Sequence, residues 1–131
     1  QPDNQLPHDQ LITAIELPAD HLARHSHYLK IRDRASYAFA FVSVAAALAL
    51  DGDEIIDARL ALGGVAHKPW RDRAVEALLI GRTVSRETFS AAADALLQDA
   101  EPLEHDGFKV KLARRAIIRA LSDAAVAGEQ P

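Results

Sequence analysis

The feature that most constrains this chain is a long apolar run, residues 38–50, broken only by Ser43 and followed at once by Asp51-Gly52-Asp53 and the alternating Glu54-Ile-Ile-Asp-Ala-Arg-Leu-Ala-Leu62. Periodicity alone does not separate a buried strand from a buried helix in such a run, and its alanines suit a helix. Two observations favour a strand. Phe39, Phe41, Val42 and Val44 are aromatic or β-branched, and the run ends in a turn signal that leads into a second alternating segment. A β-hairpin explains both halves. A three-residue loop of Asp51, Gly52 and Asp53 sets Leu48 opposite Ile56, Ala46 opposite Ala58, Val44 opposite Leu60 and Val42 opposite Leu62. A two-residue loop would set Ala46 against Asp57. Because side chains alternate with period two, that slip would misplace every partner, so the longer loop is expected, with Asp57 and Arg59 facing away from the core.

Around this hairpin, Leu11-Ile-Thr-Ala-Ile-Glu-Leu17 alternates well enough to predict a first strand that Pro18 ends. Residues 19–27 read as a loop holding three histidines, leading to a second strand over 28–32. After Pro69 the spacing turns helical. Pro69 suits a first turn, Ala74, Leu78 and Leu79 share one side, and Gly81 suits a C-terminal cap. Ser85 is placed to cap a second helix with Phe89, Ala92, Ala93, Leu96 and Leu97 as its apolar stripe, which Pro102 closes. A third helix is expected over 108–125, with Val110, Ala113, Ile117, Ala120, Leu121 and Ala124 on one face. Strands first and helices last predict an α+β domain: an antiparallel sheet of three to four strands packed against a layer of about three helices.

Composition narrows the function classes. With 131 residues the chain is one domain's worth, and 49% hydrophobic with 26% charged residues is ordinary globular composition. A net charge of −4 draws it to neither nucleic acid nor anionic lipid. The apolar run falls well short of the roughly 20 residues that cross a bilayer, so neither nucleic acid nor membrane is an expected partner. There is no cysteine, which removes thiolate nucleophiles and cysteine-held metal clusters from this chain. It opens on Gln1-Pro-Asp-Asn-Gln, with neither methionine nor a charged-then-apolar leader, and reads as a truncated or processed piece.

Motifs for chemistry are sparse. Gly63-Gly64 is followed by Val65 and Ala66, so it forms neither a dinucleotide fingerprint nor a phosphate loop and reads as a turn. His21 and His25 would share a face if helical, as zinc ligands do, but no glutamate motif accompanies them and surface histidines are the better reading. Lys109, Lys111, Arg114, Arg115 and Arg119 read as a solvated helix face rather than an anion site. The acids 51, 53 and 54 form a turn, and Ser36 and Ser43 lack a nucleophile-elbow pattern. What remains is Lys30, Arg32, Asp33, Arg34, Ser36 and Tyr37 at the mouth of two strands. On residues alone this is either a charged surface turn or a binding loop held by a rigid scaffold.

A resemblance favours the second. In order along the chain, Leu11-Ile-Thr-Ala-Ile-Glu-Leu-Pro18, Tyr28-Leu-Lys-Ile-Arg-Asp-Arg34, Val42-Ser-Val-Ala45, Gly63-Gly-Val-Ala-His-Lys-Pro69 and Phe108-Lys-Val-Lys-Leu-Ala-Arg-Arg-Ala116 resemble the C-terminal domain of the FAD-binding subunit of molybdenum hydroxylases. That group holds xanthine dehydrogenase, aldehyde oxidoreductase and carbon monoxide dehydrogenase. The Tyr28 to Tyr37 stretch and Ala66-His-Lys-Pro-Trp70 look most like the bacterial aldehyde oxidoreductase branch.

The resemblance implies a domain over residues 11–127 that closes over a flavin held mainly by an N-terminal FAD domain. Residues 1–10 would then be a linker from that domain and 128–131 a disordered tail. It matches Lys30 to a flavin-contacting lysine and 34–38 to a loop beside the ring, making Lys30, Arg34 and Tyr37 the cofactor-binding candidates. A cation at the flavin's N1–O2 or O4 edge favours reduced, electron-rich states. Position 37 departs from the xanthine dehydrogenase branch, which has an acid there, so use of NAD is not carried over. Implied partners are a large subunit with a molybdenum cofactor and a small subunit with iron–sulfur clusters of the 2Fe–2S type. Electrons would pass through those clusters to FAD and on to an acceptor. The isolated piece is expected to be inactive and to hold flavin weakly or not at all. The implied compartment is cytoplasmic, or periplasmic if a partner carries the export signal. The alternative is an assembly module that docks other subunits and never meets a cofactor.

Overall fold

The computed structural model describes residues 6–16, 21–102, 104 and 107–128. After a single 3-10 turn at His21–Ala23, strands β1 (His25–Ile31), β2 (Val42–Asp51) and β3 (Glu54–Gly63) form an antiparallel sheet in the order β1-β2-β3. Helices α1 (Arg73–Leu79), α2 (Arg86–Leu96) and α3 (Gly107–Ala127) follow. The expected α+β architecture is present, with three strands.

The hairpin forms with its core face as expected and its register shifted. Val42, Val44, Ala46 and Leu48 on β2 and Ile55, Ala58, Leu60 and Leu62 on β3 are all buried. Asp57 and Arg59 face outward. The rungs, however, are Val44↔Leu62, Ala46↔Leu60 and Leu48↔Ala58, two residues from the expected pairing. Asp51 pairs with Glu54, so the turn holds two residues, and Gly52 takes the positive φ of 58° that primed hairpin turns require. Taken alone, this turn would put the core residues on the wrong face. A bulge undoes the slip: Ala49 pairs with Asp57 while Leu50 pairs with Ile55, leaving Ile56 as the extra, half-exposed residue.

The expected first strand is not formed. Residues 11–16 carry no regular structure and lie exposed, Leu11 at 84%; Leu17 and Pro18 fall outside the described residues. An alternating pattern fits a strand only where an edge is there to pair with it. The third place in the sheet is taken by His25–Ile31, which begins inside the expected histidine loop. Its alternation turns His25, His27, Leu29 and Ile31 toward the helices and Ser26, Tyr28 and Lys30 outward.

The helices cover one sheet face. Ile117 and Leu121 of α3 and Phe89 of α2 are almost fully buried, each such side chain stabilising by roughly 1.5–3 kcal/mol through transfer from water. Ser85 caps α2, its Oγ accepting from the Thr88 N–H, and the stripe Phe89, Ala92, Ala93 and Leu96 is buried as expected. The start of α1 differs from expectation. Pro69 does not open it, because Trp70 exchanges two main-chain hydrogen bonds with Leu62, each 2.8 Å, and so extends the sheet. Asp72 caps the helix instead. This rotates its buried side to Val75, Glu76 and Leu79, leaving Ala74 and Leu78 outside. Gly81, at φ 76°, turns the chain back so that its N–H reaches the Ile55 carbonyl.

Candidate functional site

The two ends of the sheet are unlike. At the end away from the hairpin turn, β1 runs into the loop 32–41 and β3 into the loop 64–70, and the two loops touch. Gly64, at φ 76°, lies so close to the first loop that a Cβ there would stand 2.8 Å from the Ala40 carbonyl oxygen and 3.0 Å from that of Phe41. The loop 32–41 is tied at its far end by the Phe41 N–H, which donates to the Ile31 carbonyl at 2.8 Å. The Phe41 ring also meets Phe108 of α3 edge to face, with centroids 6.0 Å apart.

Of the expected site residues, Arg34 and Tyr37 are joined: the Arg34 guanidinium donates to the Tyr37 carbonyl. Tyr37 sits in the left-handed region at φ 50°, the one non-glycine residue with a positive φ among the described residues. Its ring is 96% exposed, and Phe39 beside it is 98% exposed. Lys30 stands apart on the outward face of β1, paired with Ser43 of β2, which pairs in turn with Gly63 of β3. Ser43 fills that rung: a Cβ on Gly63 would lie 2.5 Å from its Oγ. The outward face beside the rung is floored by Ala45, Ala47 and Ala61, with Tyr28 and Arg59 at its margins. Phe39 was not singled out by the sequence, where it reads as the start of a strand.

The loop 64–70 is fixed by an ion pair that sequence reasoning missed. Glu76 of α1 is only 5% exposed. Its Oε1 accepts from the Leu60 N–H at 2.9 Å and from Arg71 Nε at 2.7 Å, and its Oε2 accepts from Arg71 Nη2 at 2.9 Å. Burial pushes the carboxyl up, but the Arg71 and Leu60 hydrogen bonds and the charges of Arg71 and Arg59 outweigh it and hold it below the ordinary glutamate value. A depressed carboxylate stabilises the fold above the unfolded value, about 4.3, and that contribution is lost as pH falls through the lower folded value.

The other candidates resolve into separate contacts. His25 Nδ1 lies 3.0 Å from the Ala125 carbonyl, His27 Nε2 3.6 Å from Asp123 and His21 Nε2 3.6 Å from Asp57. His25 and His27 share a strand face, not a helical one. On α3, Arg114 grips Asp94 and Ser90 of α2, and Arg119 pairs with Asp123 one turn on, so this basic stretch includes a link between helices. Among the described residues no helix is long and apolar enough to cross a membrane.

A three-stranded antiparallel sheet backed by three helices, with paired loops beyond one end, defines a recognisable class. The profile of the CO dehydrogenase flavoprotein C-terminal domain matches residues 27–124, and the chain belongs to that family. It is 44% identical over 115 residues to the aldehyde oxidoreductase FAD-binding subunit PaoB of Escherichia coli K12, covering 88% of this chain and 33% of that protein. To the glyceraldehyde dehydrogenase medium chain of Sulfolobus acidocaldarius it is 32% identical, over 86% of this chain and 39% of the relative. The chain thus spans between a third and two-fifths of the length of these relatives. Among solved structures, carbon monoxide dehydrogenase from Hydrogenophaga pseudoflava superposes with a TM-score of 0.71 at 29% identity, over 78% of this chain and 37% of that one. Quinoline 2-oxidoreductase from Pseudomonas putida 86 shares the fold, with a TM-score of 0.73 at 24% identity over 81% and 38% of the two chains.

Proposed function

We propose that this chain is the C-terminal domain of the FAD-binding subunit of a molybdenum hydroxylase, and that its open sheet end lies against the flavin. The carrying observation is the concentration of exposed Tyr37 and Phe39, the left-handed backbone at Tyr37 and the outward cation Lys30 at the one end of the sheet where two loops meet. Large rings held fully in water on a constrained loop are groups awaiting a partner surface. The residues fit FAD. A floor of Ser43, Ala45, Ala61 and Gly63 lets a flat ring system approach the sheet closely, and Lys30 offers a positive charge beside it.

When bound, FAD supplies the electron-transfer chemistry. Lys30 favours the electron-rich form of the ring by its charge, Tyr37 and Phe39 exclude water from its surroundings, and Arg34 holds the Tyr37 backbone in place. The remaining length of a PaoB-like subunit holds most of the cofactor, with residues 1–10 as the connection to it. Molybdenum and iron–sulfur subunits complete the complex and relay electrons through the flavin to an acceptor. The isolated chain binds FAD weakly or not at all. In the full subunit assembled with its partners, Lys30→Ala and Tyr37→Ala are expected to lower FAD content, or shift its reduction potential, with assembly intact. Lost assembly with unchanged flavin would assign this end to subunit docking instead.

A further inference from the structure

We infer that Glu76 and Arg71 are a positioning pair that sets the flavin-side loop 64–70, an assignment that rests on the flavin reading above. The buried polar residues among those described are Ser43 and Glu76, and both serve this end of the sheet. Ser43 fills the rung against Gly63, while Glu76 reaches from α1 to the β3 edge and to the chain returning from the loop. A buried carboxylate is a poor device for stability alone, since an apolar side chain of similar volume often serves as well. What it adds here is direction. Its two oxygens fix the β3 amide of Leu60 and both arms of the Arg71 fork at once, a geometry that an apolar contact does not impose.

The loop is thereby held at both ends. At its start Gly64 rests on the carbonyls of Ala40 and Phe41, so its path is registered against the loop carrying Tyr37 and Phe39. At its finish Trp70 pairs with Leu62, and the next residue, Arg71, is locked by Glu76. A shift of Arg71 therefore moves Trp70 and the loop relative to the Lys30 rung. Glu76 touches no ligand; it acts through Arg71 and the loop.

Trp70 is the only tryptophan of the chain and reports the loop directly. In this chain, Glu76→Gln keeps an acceptor for the Leu60 N–H but loses the charge, and Arg71→Lys keeps the charge but loses the fork. Trp70 is 48% exposed, so both are expected to shift its emission to the red and to raise its acrylamide quenching by at most about twofold, while the far-ultraviolet circular dichroism and cooperative unfolding persist. Unchanged quenching in folded variants overturns the inference, and Arg71→Lys carries the test if Glu76→Gln does not fold. In the assembled full-length subunit, FAD content is measured for Glu76→Gln beside Lys30→Ala. Loss in both supports the positioning role. Loss, or a shifted flavin potential, with Lys30→Ala alone overturns it and leaves the flavin reading standing, whereas neither change with either variant overturns both.

Discussion

The two ends of the sheet are built on opposite plans. At the hairpin end, main-chain groups return to the protein: Ile55 N–H to Arg82, Gly81 N–H to Ile55 and Val84 N–H to Asp53, each within 2.9 Å. Its strained position at the turn is a glycine, Gly52. At the loop end the strained position is Tyr37, and two aromatic rings stand in water. Apart from the half-exposed Ile56 of its bulge, the hairpin end settles its strain within the fold, whereas the strained Tyr37 and the exposed rings of the loop end are what the proposed flavin contact would use.

The core beneath both ends should answer first and most strongly. Phe89→Ala removes a ring that is 1% exposed and is expected to cost about 3–5 kcal/mol by denaturant unfolding. A loss below about 1 kcal/mol would mean that the helical layer collapses onto the gap and contributes less to either end than its burial suggests.

Gly64→Ala tests whether the loop end is registered as tightly as its contacts imply. The substitution meets a left-handed backbone and two carbonyl oxygens, so a loss of about 1–3 kcal/mol is expected by denaturant unfolding. A neutral result would show that the two loops move apart freely. At the hairpin end, Ser85→Ala removes the acceptor for Thr88 N–H. It should cost about 1 kcal/mol and, in the assembled subunit, leave FAD content unchanged. Flavin loss there would erase the distinction between the ends.

The sequence was legible where local chemistry decides and opaque where a distant partner does. Ser85 as a cap, Gly81 at a helix end and the buried stripes of α2 and α3 follow from neighbours within a few residues. The hairpin was visible but its rungs were not, because the extra residue at Ile56 looks like any other β-branched strand residue until its partner strand is in place. Leu11–Leu17 carries as good an alternation as β1, yet pattern supplies no edge to pair with. Glu76 reads as an ordinary exposed helix acid, and its burial depends on Arg71 and on a β3 amide outside its own helix. For the site, the resemblance pointed to Lys30, Arg34 and Tyr37. Phe39 was hidden inside an apolar run whose first four residues, 38–41, belong to the loop.

Tyr37→Gly gives the smallest expected change in stability and the sharpest separation of the two ends. A side chain in the left-handed region costs roughly 1–2 kcal/mol, which glycine removes. Glycine gives back roughly 0.5–1 kcal/mol through the freedom it adds to the unfolded chain. No packing is lost, because the ring is 96% exposed, and the Arg34 hydrogen bond goes to the backbone carbonyl, which glycine keeps. The melting temperature of the chain should therefore stay level or rise, by the equivalent of at most about 1.5 kcal/mol. FAD content of the assembled subunit should fall. A chain that Tyr37→Gly destabilises would place the ring in the fold itself, and the strain at this end would then have a structural cause.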